Sequence, residues 1–402
     1  MVYSKSNGLP KRIVFFHVEL YLMPQKDLGQ YFTRSNVLRD FVFHCVRNRG
    51  DRLLEPSFGA GHLLLAFKAL DPDYPMDCYE LDSTIPLVVQ FNSHQTVSYA
   101  DFIATPIPTT YRTIIGNPPY VKRRAGNLYI QFIEKCVGLL APGGELIFIV
   151  PSDFLKQTRS SAILTRMMQE GCFTDVLFPH NERLFDGASI DVMVFRYEKG
   201  IQSRTTRVNG LLRTCQIQGG IVSFADQTVQ GTPLSEMFNV YVGLVSGMDA
   251  VYKVPFGNVG ILTDKDVITP FILVDTYPCG NTQIDAHLAA HKDALMGRKI
   301  KKFGETNWFE WGAPRNKRAM DEHIGKPCIY VRNLTRQSEV AFAGTVSYFG
   351  GALLCLIPKQ PMDLAPVLAH LNSSELKNEY TFSGRFKIGH NQVSNILMRT
   401  SS

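Results

Sequence analysis

The feature that most constrains this chain is an alternation. Between Arg52 and Tyr197, short segments rich in β-branched and aromatic residues recur at Arg52–Glu55, Asp77–Leu81, Val97–Tyr99, Thr113–Ile115, Glu145–Val150, Asp175–Phe178 and Val192–Tyr197. Helical patterns lie between them, at His62–Leu70, Leu128–Leu140 and Ser160–Glu170. Ser35 stands where it can cap an earlier helix with the apolar stripe Val37, Leu38, Phe41, Val42 and Cys45, and Gly50 follows its end. Strands alternating with helices at such short intervals predict a parallel sheet covered by helices. Glu145–Val150, nearly all apolar after Pro142-Gly143-Gly144, has the pattern of a strand buried on both faces.

The pattern changes near Lys199. Short strands, Gly and Pro turns and few long amphipathic helices follow, and Gly200–Gly210 reads as a polar, basic linker. The expected division is an N-terminal extension over residues 1–27, an α/β unit over 28–200 and a mixed α/β unit over 201–402, which suits a chain of 402 residues. Residues 1–200 hold 21 Lys+Arg against 20 Asp+Glu, a net of +1; residues 201–402 hold 21 against 16, a net of +5. The second half is therefore the one to suspect of meeting a polyanion.

Other classes fall away. The eight cysteines, at positions 45, 78, 136, 172, 215, 279, 328 and 355, form no close pair, which fits reduced thiols in a cytoplasm better than a zinc ribbon or a disulfide framework. No stretch approaches the roughly 20 apolar residues that span a bilayer. Ile13–Met23 is interrupted by His17 and Glu19 and lacks a small-residue cleavage site. His287 and His291 share a helical spacing but have no third ligand, so no metal site is expected.

The chemistry-bearing residues stand at strand ends. In Glu55-Pro56-Ser57-Phe58-Gly59-Ala60-Gly61, which leaves the first strand and opens a helix, the glycines let a ligand approach the backbone closely. Glu80, in Tyr79-Glu80-Leu81-Asp82 at the end of the second strand, can accept both hydroxyls of a ribose. Asp101-Phe102 ends the third strand with an acceptor for an adenine amino group beside a ring that can stack on the base. After the fourth comes Asn117-Pro118-Pro119-Tyr120. Its two prolines remove N–H donors, so the loop presents oxygens. The Asn117 amide oxygen and the Pro118 carbonyl can together hold both hydrogens of a planar amino group and free its lone pair to attack an electrophilic methyl. Tyr120 supplies a face on which the base can stack, worth about 1–3 kcal/mol.

These motifs, in this order and spacing, resemble the TaqI-like gamma class of amino-methylating DNA methyltransferases of type II restriction–modification systems. Gln30-Tyr31-Phe32-Thr33 is similar to the family's first cofactor segment, and Asn127–Lys135 is similar to the segment whose phenylalanine, here Phe132, packs on the cofactor adenine. Leu184-Phe185 resembles the place of a second aromatic against the base. Family members often start near Asp27–Gln30, so residues 1–22, ahead of Met23, are expected to be dispensable or an upstream mis-start. The resemblance is strong over residues 28–199 and looser beyond, through Val242–Gly247, Lys326–Leu334 and Leu371-Asn372-Ser373.

The resemblance implies a Rossmann-like S-adenosylmethionine-dependent sheet with Tyr31, Thr33, Glu55, Ser57, Gly59, Gly61, Glu80, Leu81, Asp101, Phe102 and Phe132 at the cofactor. Asn117, Pro118, Pro119, Tyr120 and Phe185 would act on a flipped-out adenine. The implied product is N6-methyladenine in double-stranded DNA, made by a cytoplasmic monomer beside a cognate restriction endonuclease. The C-terminal unit would recognise the target. Its basic runs Arg298-Lys299-Ile300-Lys301-Lys302 and Arg315-Asn316-Lys317-Arg318 flank Trp308, Phe309 and Trp311, and Lys122-Arg123-Arg124 follows the catalytic loop. Each is placed to meet phosphates, or else to be an ordinary charged surface. The rival functions are an RNA or protein-glutamine amino-group methyltransferase, a nuclease fusion and a silent DNA binder. The nuclease rests only on Glu375-Leu376-Lys377 with Asp363 upstream, and a silent binder has no use for an amine-polarising loop.

Overall fold

The computed structural model describes residues 33–123, 126–181, 183–185, 190–225, 230–299 and 303–398. Tyr31, Arg124, Lys301, Lys302 and the expected N-terminal extension lie outside them. The chain divides into two compact units, Met1–Thr228 and Val229–Ser402.

The first unit is built on a sheet of ten strands. In chain order these are β1 (Leu53–Glu55), β2 (Met76–Glu80), β3 (Gln95–Tyr99), β4 (Tyr111–Gly116), a small separate hairpin β5 (Lys122–Arg123) and β6 (Gly126–Asn127), then β7 (Leu140–Pro151), β8 (Gly171–Leu177), β9 (Val192–Lys199), β10 (Thr205–Val208), β11 (Leu211–Gln218) and β12 (Ile221–Ala225). The order across the large sheet is β12-β11-β10-β8-β9-β7-β4-β1-β2-β3. β3, β2, β1, β4 and β7 run parallel, and β9 lies antiparallel between β7 and β8.

Side chains of β7 alternate between two cores. Leu146, Phe148 and Val150 join one with α3 (Leu128–Leu139) and α4 (Ser161–Glu170). Ile147 and Ile149 join the other with α1 (Asn36–Cys45) and α2 (Leu65–Leu70). Helices thus cover both faces, which is why the strand reads as an unbroken apolar run. The strand order reverses between β1 and β4, and ligands of such sheets bind in the crevice beyond the strands' C-terminal ends at that point.

The segment expected as a linker is not one. β10 pairs in parallel with β8, and Thr206, fully buried, donates its hydroxyl to the Phe173 carbonyl at 2.6 Å. Asn209 and Gly210, both at positive φ, turn the chain into β11, as an Asn-Gly hairpin turn requires. The sheet therefore runs on past residue 200, and the compact unit closes at Thr228.

The second unit has an antiparallel sheet in the order Phe238–Val242, Leu353–Pro358, Pro327–Arg332, Ala341–Thr345. Period-2 alternation again splits two cores: Cys328 and Tyr330 face Trp308 and Trp311, while Ile329 and Val331 face the helices Ala365–Leu371 and Ser374–Tyr380. A smaller sheet joins Leu334–Thr335, Arg385–Lys387 and Thr381–Phe382. Among the described residues no helix is long and apolar enough to cross a membrane. No group of three His, Cys, Asp or Glu among them is placed to hold a metal ion. His287 and His291 each face a backbone carbonyl, of Val251 and His287, at 2.8 Å.

Candidate active site

Four strand ends lie along one edge of the sheet, with β1 and β4 at the reversal point. Glu55 leaves β1 fully buried, and its Oε1 accepts from the Ser57 amide at 3.3 Å. Gly61 has φ +89, and a Cβ there would lie 2.4 Å from Val89 Cγ2, so only glycine lets this turn close. Glu80, at the end of β2, accepts from Gly59 N at 2.9 Å, Leu81 N at 2.8 Å and Asp82 N at 3.0 Å. The second carboxylate thereby fixes the loop that follows the first.

Two atoms in this corner lack partners. Glu55 Oε2 and Ser57 Oγ are buried with no hydrogen-bond partner among the described residues. Burial is costly for an ionised carboxylate. It raises the Glu55 carboxyl well above its usual range, against the lowering effect of the Ser57 amide and with a further push from Glu80. An orphaned acceptor beside an orphaned hydroxyl suits a cationic donor group such as an amino-acid ammonium. In the ligand-free protein the raised Glu55 value has a definite sign. The folded state holds this proton more tightly than the unfolded chain, so stability present below about pH 4.3 is lost as pH rises through the folded value. Glu55→Gln should therefore flatten the fall in melting temperature with pH and weaken cofactor binding. An unaltered pH profile would place the unfavourable charge elsewhere.

Beyond β3, Asp101 is exposed and caps its own loop through Ile103 N at 2.9 Å. Phe102 and Phe132 stack on each other with centroids 5.3 Å apart and planes at 25°, and both are buried. Lys135, to which the sequence motifs assign no role, clasps this loop: its Nζ donates to the carbonyls of Phe102, Ile103 and Thr105 and lies 4.6 Å from the Phe102 ring centre. It stands on α3 three residues beyond Phe132, so one helix face carries both the ring and the clasp.

At the end of β4, Pro118 is buried and Pro119 half-buried. Asn117 Nδ2 donates to Thr33 Oγ1 at 3.0 Å, and the Tyr120 hydroxyl donates to Asn117 Oδ1 at 2.6 Å and approaches the Ile149 carbonyl at 3.0 Å. Thr33, expected at the cofactor, thus accepts from the Asn117 amide through its hydroxyl oxygen. Phe185 lies beside Tyr120, but edge-on, with centroids 6.4 Å apart and planes at 82°. In this state the ring belongs to the core, 4% exposed, because its face packs among Val192, Val194 and their neighbours.

The basic residues differ sharply in what they are free to do. Arg298 is buried: Nε, Nη1 and Nη2 donate to the carbonyls of Leu295, Glu310 and Trp308, and the guanidinium lies 3.7 Å from the Phe303 ring centre. A cation spent on three carbonyls and a ring holds the loop together instead of meeting a phosphate. Lys317 lies between Asp275 and Asp321, at 3.6 and 3.5 Å. Arg318 is 93% exposed beside Glu322 at 3.1 Å. Lys122, Lys299 and Arg315 are exposed. A groove of about 440 Å³ on the second unit, which no motif in the sequence announces, is lined by Leu334, Thr335, Arg336, Gln337, Arg385 and Asp264.

A sheet with this reversal point and these strand ends is the S-adenosylmethionine-dependent methyltransferase architecture. Residues 90–185 match the family of Eco57I restriction-modification methylases. The chain is 29% identical over 196 residues to the type II methyltransferase M.HincII of Haemophilus influenzae, covering 43% of this chain and 38% of that protein. It is 26% identical over 257 residues to M.TthHB8I of Thermus thermophilus, covering 54% and 59%. It thus spans less than two thirds of either relative. A cryo-EM structure of a DrdV–DNA complex aligns with a TM-score of 0.48 at 10% identity, over 85% of this chain and 50% of that one. S-adenosylmethionine is the cofactor of this class, and the orphaned Glu55 and Ser57 atoms, with the Glu80 carboxylate, fit its cationic amino acid and its ribose.

Proposed function

We propose that the protein methylates the N6 amino group of an adenine turned out of double-stranded DNA, as the modification component of a restriction–modification system. The observation that supports this reading most is the Asn117–Tyr120 loop at the C-terminal end of β4, beside the corner suited to S-adenosylmethionine.

When bound, the cofactor supplies an electrophilic methyl on a sulfonium. The chain's own residues do the rest. The Glu55 carboxylate and Ser57 hydroxyl bind a cationic donor, and Glu80 binds ribose hydroxyls. Asn117 Oδ1 and the Pro118 carbonyl accept the two amine hydrogens, which localises the nitrogen lone pair towards the methyl. Tyr120 stacks on the base, with Phe185 closing the other side, and this offsets part of the few kcal/mol spent on extrusion. Positioning supplies most of the rate in such a displacement.

Residues of the second unit contact DNA in this reading, beside an endonuclease of the same specificity, and the enzyme works as a monomer. The groove of Arg336, Gln337 and Arg385 has the guanidinium and amide groups that contact phosphates and base edges. Alanine at Arg336 and Arg385 together should weaken duplex binding and reduce the salt slope by about 0.9 for each phosphate left without its cation. Arg298→Ala should lower the melting temperature instead. A slope unchanged in the first variant and reduced in the second would reverse these assignments. The activity itself is tested by offering labelled S-adenosylmethionine with duplex DNA, RNA and protein in parallel and identifying the methylated nucleoside. Label in RNA or protein alone would reject DNA as the substrate.

A further inference from the structure

An asparagine that must accept an amine proton has a built-in ambiguity. Its amide oxygen and nitrogen are nearly the same shape, and the flipped rotamer would point two N–H groups at the incoming amine. The choice between them is made by hydrogen-bond partners. Here Asn117 Nδ2 meets Thr33 Oγ1 at 3.0 Å, and Thr33 is only 5% exposed. On the other side, Tyr120 donates to Asn117 Oδ1 at 2.6 Å, with the Ile149 carbonyl, a pure acceptor, at 3.0 Å from the same hydroxyl.

We infer that Thr33 is a positioning residue for the methyl-transfer step: with the Tyr120 proton on Oδ1, its hydroxyl oxygen accepts from Nδ2, and the two together hold Asn117 with Oδ1 towards the amine. The Tyr120 hydroxyl completes the device. It carries one proton and, among the described residues, has Asn117 Oδ1 and the Ile149 carbonyl as acceptors within reach. In the free protein that proton occupies Asn117 Oδ1, and when the substrate amine arrives it turns to the Ile149 carbonyl on β7. The catalytic oxygen is thus kept oriented while empty and is released without leaving the phenol unpaired. The segment before α1 thereby acts on the amine-binding loop, apart from any contact it makes with the cofactor.

This rests on the amino-methylation reading above, and the test separates the two. Steady-state methyl transfer to DNA and equilibrium S-adenosylmethionine binding are measured for wild type, Thr33→Val and Thr33→Ser. Loss of one neutral hydrogen bond predicts that Thr33→Val lowers kcat about three- to tenfold, with KM and the cofactor Kd nearly unchanged. Thr33→Ser, which keeps the oxygen, should restore the rate. Adding Thr33→Val to Asn117→Ala should cost nothing further, because the residue acts only through that amide. Equal losses in kcat and in cofactor affinity would make Thr33 a cofactor ligand and overturn the inference, as would an additive double variant. A wild-type protein that methylates no DNA would instead defeat the underlying reading.

Discussion

Replacing Asn117 with alanine is expected to lower methyl transfer by roughly 10²–10³-fold, about 2.7–4 kcal/mol of transition-state stabilisation, by analogy with removing one preorganised group from an oxyanion hole. The cofactor should bind as before. Glu55, Ser57 and Glu80 hold their positions through β1, β2 and the Gly59 and Leu81 amides, none of which touches the Asn117 side chain in the bonds described above. On the proposed reading the amide oxygen meets the substrate only when an amine is present, so the loss belongs in kcat. Single-turnover transfer with saturating DNA, alongside calorimetric cofactor binding, separates these possibilities. A parallel fall in cofactor affinity would show that Asn117 holds the loop together and that its amide is no amine acceptor.

The strand ends were legible because their signals are local. Periodicity places β1 to β4, and the chemistry-bearing residues follow each strand within a few positions, so Glu55, Glu80, Asp101 and Asn117 could be put on one edge without knowing any distance. Pairings over long separations were not legible. Thr33 and Asn117 are 84 residues apart, and nothing in either segment names the other. Arg298 misled for a related reason: a basic run looks the same whether its cations face solvent or turn inward onto carbonyls. The segment after Gly200 misled through its polarity. Its Asn209-Gly210 pair, flanked by Val208 and Leu211, is a hairpin signal that outweighs polar composition, and it marks the strands that extend the sheet.

The second large effect is expected on stability, away from the site. Arg196 is 1% exposed, and its guanidinium reaches Glu145 Oε2 at 2.7 Å, Glu198 Oε2 at 2.8 Å and Thr174 Oγ1 at 2.6 Å. Glu145, fully buried, also accepts from the Arg47 and Asn48 amides and from the Thr113 hydroxyl, all at 2.9–3.2 Å. One carboxylate thus ties β4, β7, β9 and the chain entering β1. Arg196→Met keeps much of the volume but leaves Glu145 buried without its cation, and should cost about 3–5 kcal/mol. Arg196→Met combined with Glu145→Gln should recover part of that loss, since most of it is the uncompensated charge. Both tryptophans, Trp308 and Trp311, lie in the second unit, so their fluorescence follows that unit. Far-UV circular dichroism in urea follows both units, so the part of its change that tryptophan fluorescence does not share belongs to the first. If the single variant unfolds with the wild type, the cluster is a weaker tie than its burial indicates. If the double variant is worse than the single, hydrogen bonding to Glu145 outweighs its charge.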